Sequence, residues 1–248
     1  MYDRAILRGI PCLALVVMIG CDGTERNVEV ADAAESSAPV AEAADAPATV
    51  LMLGTSLTAG LGLQPEDAYP ALIQERVDAE RLPFRIVNAG VSGETSAGAL
   101  RRLDWLMRQR FDVLVIETGA NDMLRGMDLD STRANIQAII DRVRRERPEV
   151  RIVLAGMLAP PNLGRDYATR FGEIYPELSR ENEVPLIPFL LQDVGGVPEL
   201  NQGDGIHPNE DGAALVARNV WDVLGPVLRE EAAAATGASP TLAPAQGN

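Results

Sequence analysis

The 248-residue chain has no lysine; all 22 of its basic residues are arginine. That absence excludes chemistry built on a side-chain amine, whether a Schiff-base lysine, a Ser-Lys dyad or the lysine of a phosphate-cradling P-loop. Histidine is almost as scarce, with His207 alone, and both cysteines, Cys12 and Cys21, fall within the first 21 residues. No His/Cys cluster with zinc spacing can be assembled from that set, so imidazole chemistry has to run through His207. Aromatic residues make up only 4 %, which makes the expected core aliphatic. Basic residues are outnumbered by 36 acids, giving a net charge of −14, which argues against nucleic acid or an anionic lipid face as the main partner.

The two ends do not read as fold. Residues 1–21 run from a basic start, Arg4 and Arg8, through the apolar stretch Ile10 to Ile19, to Gly20-Cys21. That stretch is short for a membrane span and has the flanks of a secretory leader. Met18-Ile19-Gly20-Cys21 resembles the bacterial lipobox, in which the cysteine is acylated and becomes the new N-terminus. An ordinary leader cut nearby is the alternative, and either form exports the protein to the periplasm or to a membrane-anchored position. Residues 22–48 are rich in Ala, with Pro, Ser and seven acids against Arg26, too little apolar surface to fold, and so an expected disordered linker. The tail 230–248 reads the same way, which leaves a cysteine-free domain at 49–229.

Within it, apolar runs at Val50–Leu53, Arg85–Asn88, Val113–Glu117, Arg151–Gly156 and Pro185–Phe189 have the look of strands buried on both faces. Between and after them come helical spacings at Tyr69–Glu80, Ala97–Arg110, Thr132–Arg147, Tyr167–Asn182 and Glu210–Leu228. Strands alternating with helices predict an α/β fold of three layers, α/β/α, around a five-stranded parallel sheet, because each parallel pair needs a crossover.

In such sheets ligands collect beyond the carboxyl ends of the strands, and the loops there hold the unusual sequences. A serine hydroxyl needs a base to take its proton, and the base needs an orienting group. Ser56, in the Gly54-to-Gly60 turn after the first strand, is the candidate nucleophile, and His207 is the candidate base. Asp204, three residues earlier, can fold back onto the ring nitrogen that faces away from Ser56. For the oxyanion that forms on attack, the candidate donors are the backbone N–H groups of Ser56 and Gly90 and the side-chain amide of Asn121. Each piece alone has a plainer reading as a turn or a loop residue. Their joint fall at one sheet edge, in an order that supplies nucleophile, donors, acid and base, weakens that reading.

With these residues in view, the sequence resembles the SGNH hydrolases, or GDSL esterases, in particular their bacterial periplasmic arylesterases, acyl-CoA thioesterases and lysophospholipases. The resemblance spans Thr49 to Leu228 and includes Ala68-Tyr69-Pro70-Ala71-Leu72, the run from Val87 to Ser96, Leu124-Arg125-Gly126 and Tyr175-Pro176. It implies a flavodoxin-like fold, a nucleophile at Ser56, oxyanion donors at Gly90 and Asn121, acid and base at Asp204 and His207, and no metal or organic cofactor. One departure stands out: Thr55 occupies the place of the Asp in the family's Gly-Asp-Ser block, which implies a retained but retuned site.

The expected substrate is a small-molecule aryl, alkyl or lysolipid ester or thioester. Leu57, Met123, Leu124, Leu158 and Pro160 are candidate acyl-side residues, with core filling beneath the loops as their plainer reading. A carbohydrate or peptidoglycan O-deacetylase of the same chemistry, and an inactive anchored binding module, remain as alternatives. The expected partners are the ester substrate and a membrane only through Cys21, with a monomer as the expected assembly.

Overall fold

An uninterrupted apolar run such as Val50-Leu51-Met52-Leu53 has no polar alternation with which to face water, so it requires cover on both sides. In the computed structural model, which describes residues 47–236, that run is the fully buried centre of β1 (Ala48–Gly54). The expected leader with Cys21, the linker up to residue 46 and the tail from 237 lie outside the described residues.

β1 pairs in parallel with β2 (Phe84–Gly90) on one side and β3 (Val113–Ile116) on the other. The sheet continues in parallel through β4 (Arg151–Ala155) to β5 (Leu186–Ile187), giving the order β2-β1-β3-β4-β5. This is the flavodoxin-like order, whose direction of travel reverses between β1 and β3 and opens a crevice there.

The helices are α1 (Ser56–Ala59), α2 (Tyr69–Ala79), α3 (Ser96–Leu106), α4 (Ala120–Leu124), α5 (Leu129–Glu146), α6 (Arg165–Asn182) and α7 (Glu210–Thr236). α2 packs with α7, while α3, α5 and α6 pack in a row, which makes the two helical layers. The core is aliphatic apart from a few rings, among them Phe171 and Tyr175 of α6, which meet edge to face at 5.6 Å.

Several boundaries differ from the sequence reading: β1 and β2 run longer at both ends, and α5 and α6 begin earlier. The last strand ends at Ile187 rather than Phe189, because Gly156 O, which Phe189 N would meet if the ladder continued, accepts Leu190 N at 2.9 Å instead. α3 stops at Leu106, where Arg108 N and Gln109 N turn back to Trp105 O and Leu106 O. The domain does not end at Arg229, since α7 continues to Thr236. Glu230 and Glu231 lie 3.6 and 3.3 Å from the Arg151 guanidinium, Ala232 packs on the core, and the alanines that follow are strong helix formers.

Gly90 ends β2 in register with Gly54. A Cβ on Gly90 would run into the backbone N of Ala59 and lie 2.8 Å from the Thr55 carbonyl oxygen, so only glycine lets β2 close against the turn after β1. Gly90→Ala is therefore expected to destabilise the protein by about 1–3 kcal/mol through overpacking. Urea unfolding of the two proteins measures this, with a shifted midpoint and an unchanged slope.

Candidate active site

Ser56 is the first residue of α1, directly beyond the carboxyl end of β1 and beside the reversal point of the sheet. The short helix is closed by Gly60 in the left-handed region, φ 72°, so the chain turns away sharply and leaves Ser56 at the crevice. His207 arrives from the other end of the fold, 151 residues later, with Nε2 2.8 Å from Ser56 Oγ. Its Nδ1 lies 2.6 Å from Asp204 Oδ2. The second carboxylate oxygen, Oδ1, accepts the backbone N–H groups of Ile206 at 2.9 Å and His207 at 3.0 Å.

With Nδ1–H donating to Asp204, the lone pair of Nε2 faces the serine hydroxyl, the tautomer a base requires. The His207 ring above all, and then those two N–H groups, hold the Asp204 carboxyl down at about 2, so it stays ionised across the neutral range.

The loop that carries this pair is held at several points. Gln202 N donates to His207 O, and the Gln202 side-chain amide donates to Leu61 O at 2.7 Å and Pro208 O at 2.9 Å, which ties the His207 loop to the segment after α1. Asn201 Nδ2 donates to Val194 O and Val197 O, and Asn209 Oδ1 accepts Gly212 N in the first turn of α7.

Asn121 lies in α4 and lines the same pocket as Ser56, with one amide N–H donated to Glu94 O at 3.0 Å. Gly90 is placed differently from the expectation. Its N–H donates to Asn88 Oδ1 at 2.9 Å, it is still a ladder residue of β2, and it does not line the pocket. The glycine of that loop that does line it is Gly93, at φ 77°, whose N–H meets no protein acceptor among the described residues. Gly90 therefore belongs to the packing of the turn, together with Asn88, whose Nδ2 donates to Thr58 O at 2.8 Å.

Sequence reasoning also missed Glu117. It follows β3 and is fully buried, its N–H donating to Leu53 O at 2.8 Å. Oε2 accepts Thr55 N at 2.7 Å and Thr58 Oγ1 at 2.8 Å, and Oε1 accepts Thr55 Oγ1 at 2.9 Å. Burial pushes this carboxyl up, and the donors around it pull the other way.

The pocket is a cleft of about 550 Å³ walled mostly by apolar groups. Leu57, Met123, Leu124, Leu158 and Pro160 all line it, together with Ser56, Asn121 and His207. Leu61, Ile206, Phe189 and Leu191 were not anticipated. Leu61 and Ile206 flank the motifs read for their polar residues, and Phe189 and Leu191 follow the strand that ends early.

Residues 52–215 match the model of the GDSL-like lipase/acylhydrolase family. The chain is 39 % identical over 181 residues to the esterase TesA of Pseudomonas aeruginosa, covering 73 % of this chain and 89 % of that one. It is 36 % identical over 184 residues to thioesterase 1/protease 1/lysophospholipase L1 of Escherichia coli, covering 74 % and 86 %. Among solved structures, the psychrotrophic esterase EstA from Pseudoalteromonas sp., inhibited by monoethylphosphonate, superposes with a TM-score of 0.69 at 35 % identity, covering 73 % of this chain and 98 % of that one.

Because the folded Asp204 carboxyl titrates near 2, below the unfolded value of about 3.9, its contribution to stability is present above about pH 4 and is lost as the pH falls through about 2. The gap in melting temperature between the wild type and Asp204→Asn is expected to close as the pH falls from about 4 to 2. Thermal scans by circular dichroism across that range check it.

Proposed function

The chain belongs to the GDSL-like lipase/acylhydrolase family and is a carboxylic ester hydrolase, and from that premise we propose that it works through an acyl-enzyme on Ser56. The observation that carries this reading is the unbroken chain of hydrogen bonds from Asp204 through His207 to Ser56, opening into an apolar cleft.

In the proposed cycle, Ser56 Oγ attacks the ester carbonyl carbon while its proton passes to His207 Nε2. Asp204 remains ionised and stabilises the imidazolium. The carbonyl oxygen becomes an oxyanion that the N–H groups of Ser56 and Gly93 and the Asn121 amide are positioned to receive. Ser56 N–H suits this because the first N–H groups of a helix have no intrahelical acceptor. Collapse expels the alcohol or thiol, which takes the proton from His207. Water then attacks the acyl carbon with His207 taking its proton, and as the bond to Ser56 Oγ breaks that proton returns to Oγ and the acid leaves.

Leu57, Met123, Leu124, Leu158 and Pro160 are proposed to hold the acyl chain. An apolar wall of this kind favours acyl esters and thioesters over acetylated glycans, because each buried methylene contributes about 0.8 kcal/mol whereas buried sugar hydroxyls would go unpaired. The proposed groups make a complete site without a partner subunit, and action as a monomer is part of the reading. Export through the 1–21 leader, with acylation at Cys21 as its lipoprotein form, is part of the same proposal.

Ser56→Ala is expected to abolish hydrolysis of p-nitrophenyl butyrate and labelling by a fluorophosphonate. Asn121→Ala is expected to lose about 10²- to 10³-fold in kcat. In a p-nitrophenyl ester series from acetyl to palmitoyl, kcat/KM is expected to rise beyond acetyl. A fluorophosphonate-labelled Ser56→Ala variant, or a maximum at acetyl, would contradict the reading. Incorporation of radiolabelled palmitate into the full chain, and its loss in Cys21→Ser, tests the anchor.

A further inference from the structure

The proposed cycle makes no use of Glu117, although it is the best-satisfied buried carboxyl near the reacting groups. Among the described residues, its oxygens accept side-chain and backbone hydrogen bonds from the turn that presents Ser56: the N–H and hydroxyl of Thr55, one residue before Ser56, and the hydroxyl of Thr58, two residues after it. Thr58 Oγ1 is also 2.7 Å from Tyr69 OH, so when Thr58 donates to Glu117, Tyr69 donates to Thr58. Gly54 leaves the room for this: a Cβ there would run into Thr58 and lie 2.7 Å from Glu117 Oε2.

Threonine is a favoured N-cap because its oxygen can accept an N–H of the first helical turn. Thr55, at the N-cap of α1, makes no such bond, and its hydroxyl is turned inward to the carboxyl instead. The orientation of α1, and with it the direction of Ser56 Oγ, is thus referred to a side chain fixed on the neighbouring strand.

We propose that Glu117 is a positioning residue of this hydrolase: its carboxyl group aims Ser56 by gripping Thr55 and Thr58, and a hydroxyl rather than a second acid at position 55 is what keeps the grip free of charge repulsion. The proposal rests on Ser56 being the nucleophile. Thr55 Oγ1 lies 2.9 and 3.1 Å from the two carboxyl oxygens. An aspartate at 55 would set two acids within hydrogen-bond distance in a dry site, where they cannot both ionise. The other titratable or charged groups facing this site are Tyr69 from α2 and Tyr175 from α6, both held neutral by burial. Across Gly54 stands Arg102 from α3, already paired with Glu94 at 2.7 Å.

The test uses the domain with its tails intact and measures kcat, KM, fluorophosphonate labelling rate and melting temperature. Glu117→Gln keeps the shape but replaces one acceptor with a donor, so kcat and the labelling rate are expected to fall about 10- to 100-fold, with KM within about twofold. Unchanged kcat, or a change confined to KM, overturns the proposal. Should that variant not fold, Thr55→Val with Thr58→Val removes two donors and leaves the carboxyl, and full turnover there overturns it equally.

In the second arm, Thr55→Asp raises the proton affinity of the folded pair above that of the unfolded acids. Its melting temperature should therefore fall further below the wild type as the pH rises from about 6 to 9. That widening gap is expected to vanish when Thr55→Asp is made in the Glu117→Gln background, and its persistence there overturns the proposal. Failure of the esterase reading itself would look different, since wild-type Ser56 would then take no fluorophosphonate label.

Discussion

A carboxyl group shut away from water has to be met by donors, and in this protein those of Glu117 are the backbone and hydroxyls of the turn that carries Ser56, the proposed nucleophile. Glu117 can reach them because β3 runs beside β1 in register, with Glu117 N–H bonded to Leu53 O at the last step of the ladder. Gly54 permits the approach, and Gly90 permits a matching approach from the other side, where β2 closes against Thr55 and Ala59. The turn is held between its two neighbouring strands, and the orientation of Ser56 is a property of the sheet as much as of its own loop. Rigid support of this kind keeps a reacting oxygen within the small tolerance that hydrolytic chemistry demands.

The fold class was legible because most strands are apolar runs without alternation and each helix has its own spacing; β2, at the sheet edge, is the exception, with Arg85 and Asn88 exposed and Ile86 and Val87 only half-buried. Ser56, Asp204 and His207 were legible for a different reason: with one histidine and no lysine, the chain offers few other ways to activate a hydroxyl. Gly90 and Gly93 could not be separated by pattern, since both sit in one short glycine-containing stretch beyond the apolar run of the second strand. What separates them is where the ladder ends: β2 persists through Gly90, two residues past its expected end, so that N–H is spent locally while Gly93 reaches the pocket. Glu117 stayed hidden because an acid closing an apolar run looks like a strand emerging into water. Its burial depends on Thr55 and Thr58, about sixty residues earlier in the chain.

The surface and the cleft have opposite characters. A chain with a net charge of −14 stays well solvated, yet its site is walled by leucine, methionine and phenylalanine, and several of those side chains, Leu61, Leu124, Leu158 and Ile206 among them, remain about half exposed at its edge. Leaving such groups open has a cost in water that a monomeric domain tolerates only in a limited patch. Here the patch coincides with the groups that would touch an acyl chain, so the apolar exposure is concentrated where a ligand would cover it.

The hydroxyl and the imidazole belong to opposite ends of the domain, and the loop bearing His207 is fastened to the segment after α1 and to the start of the last helix. A chain emerging from the ribosome carries Ser56 early but reaches His207, its proposed proton acceptor, only after more than four-fifths of its length is made. On the proposed mechanism, fragments that lack this segment carry Ser56 without its base, so truncation before His207 is expected to remove turnover rather than weaken it.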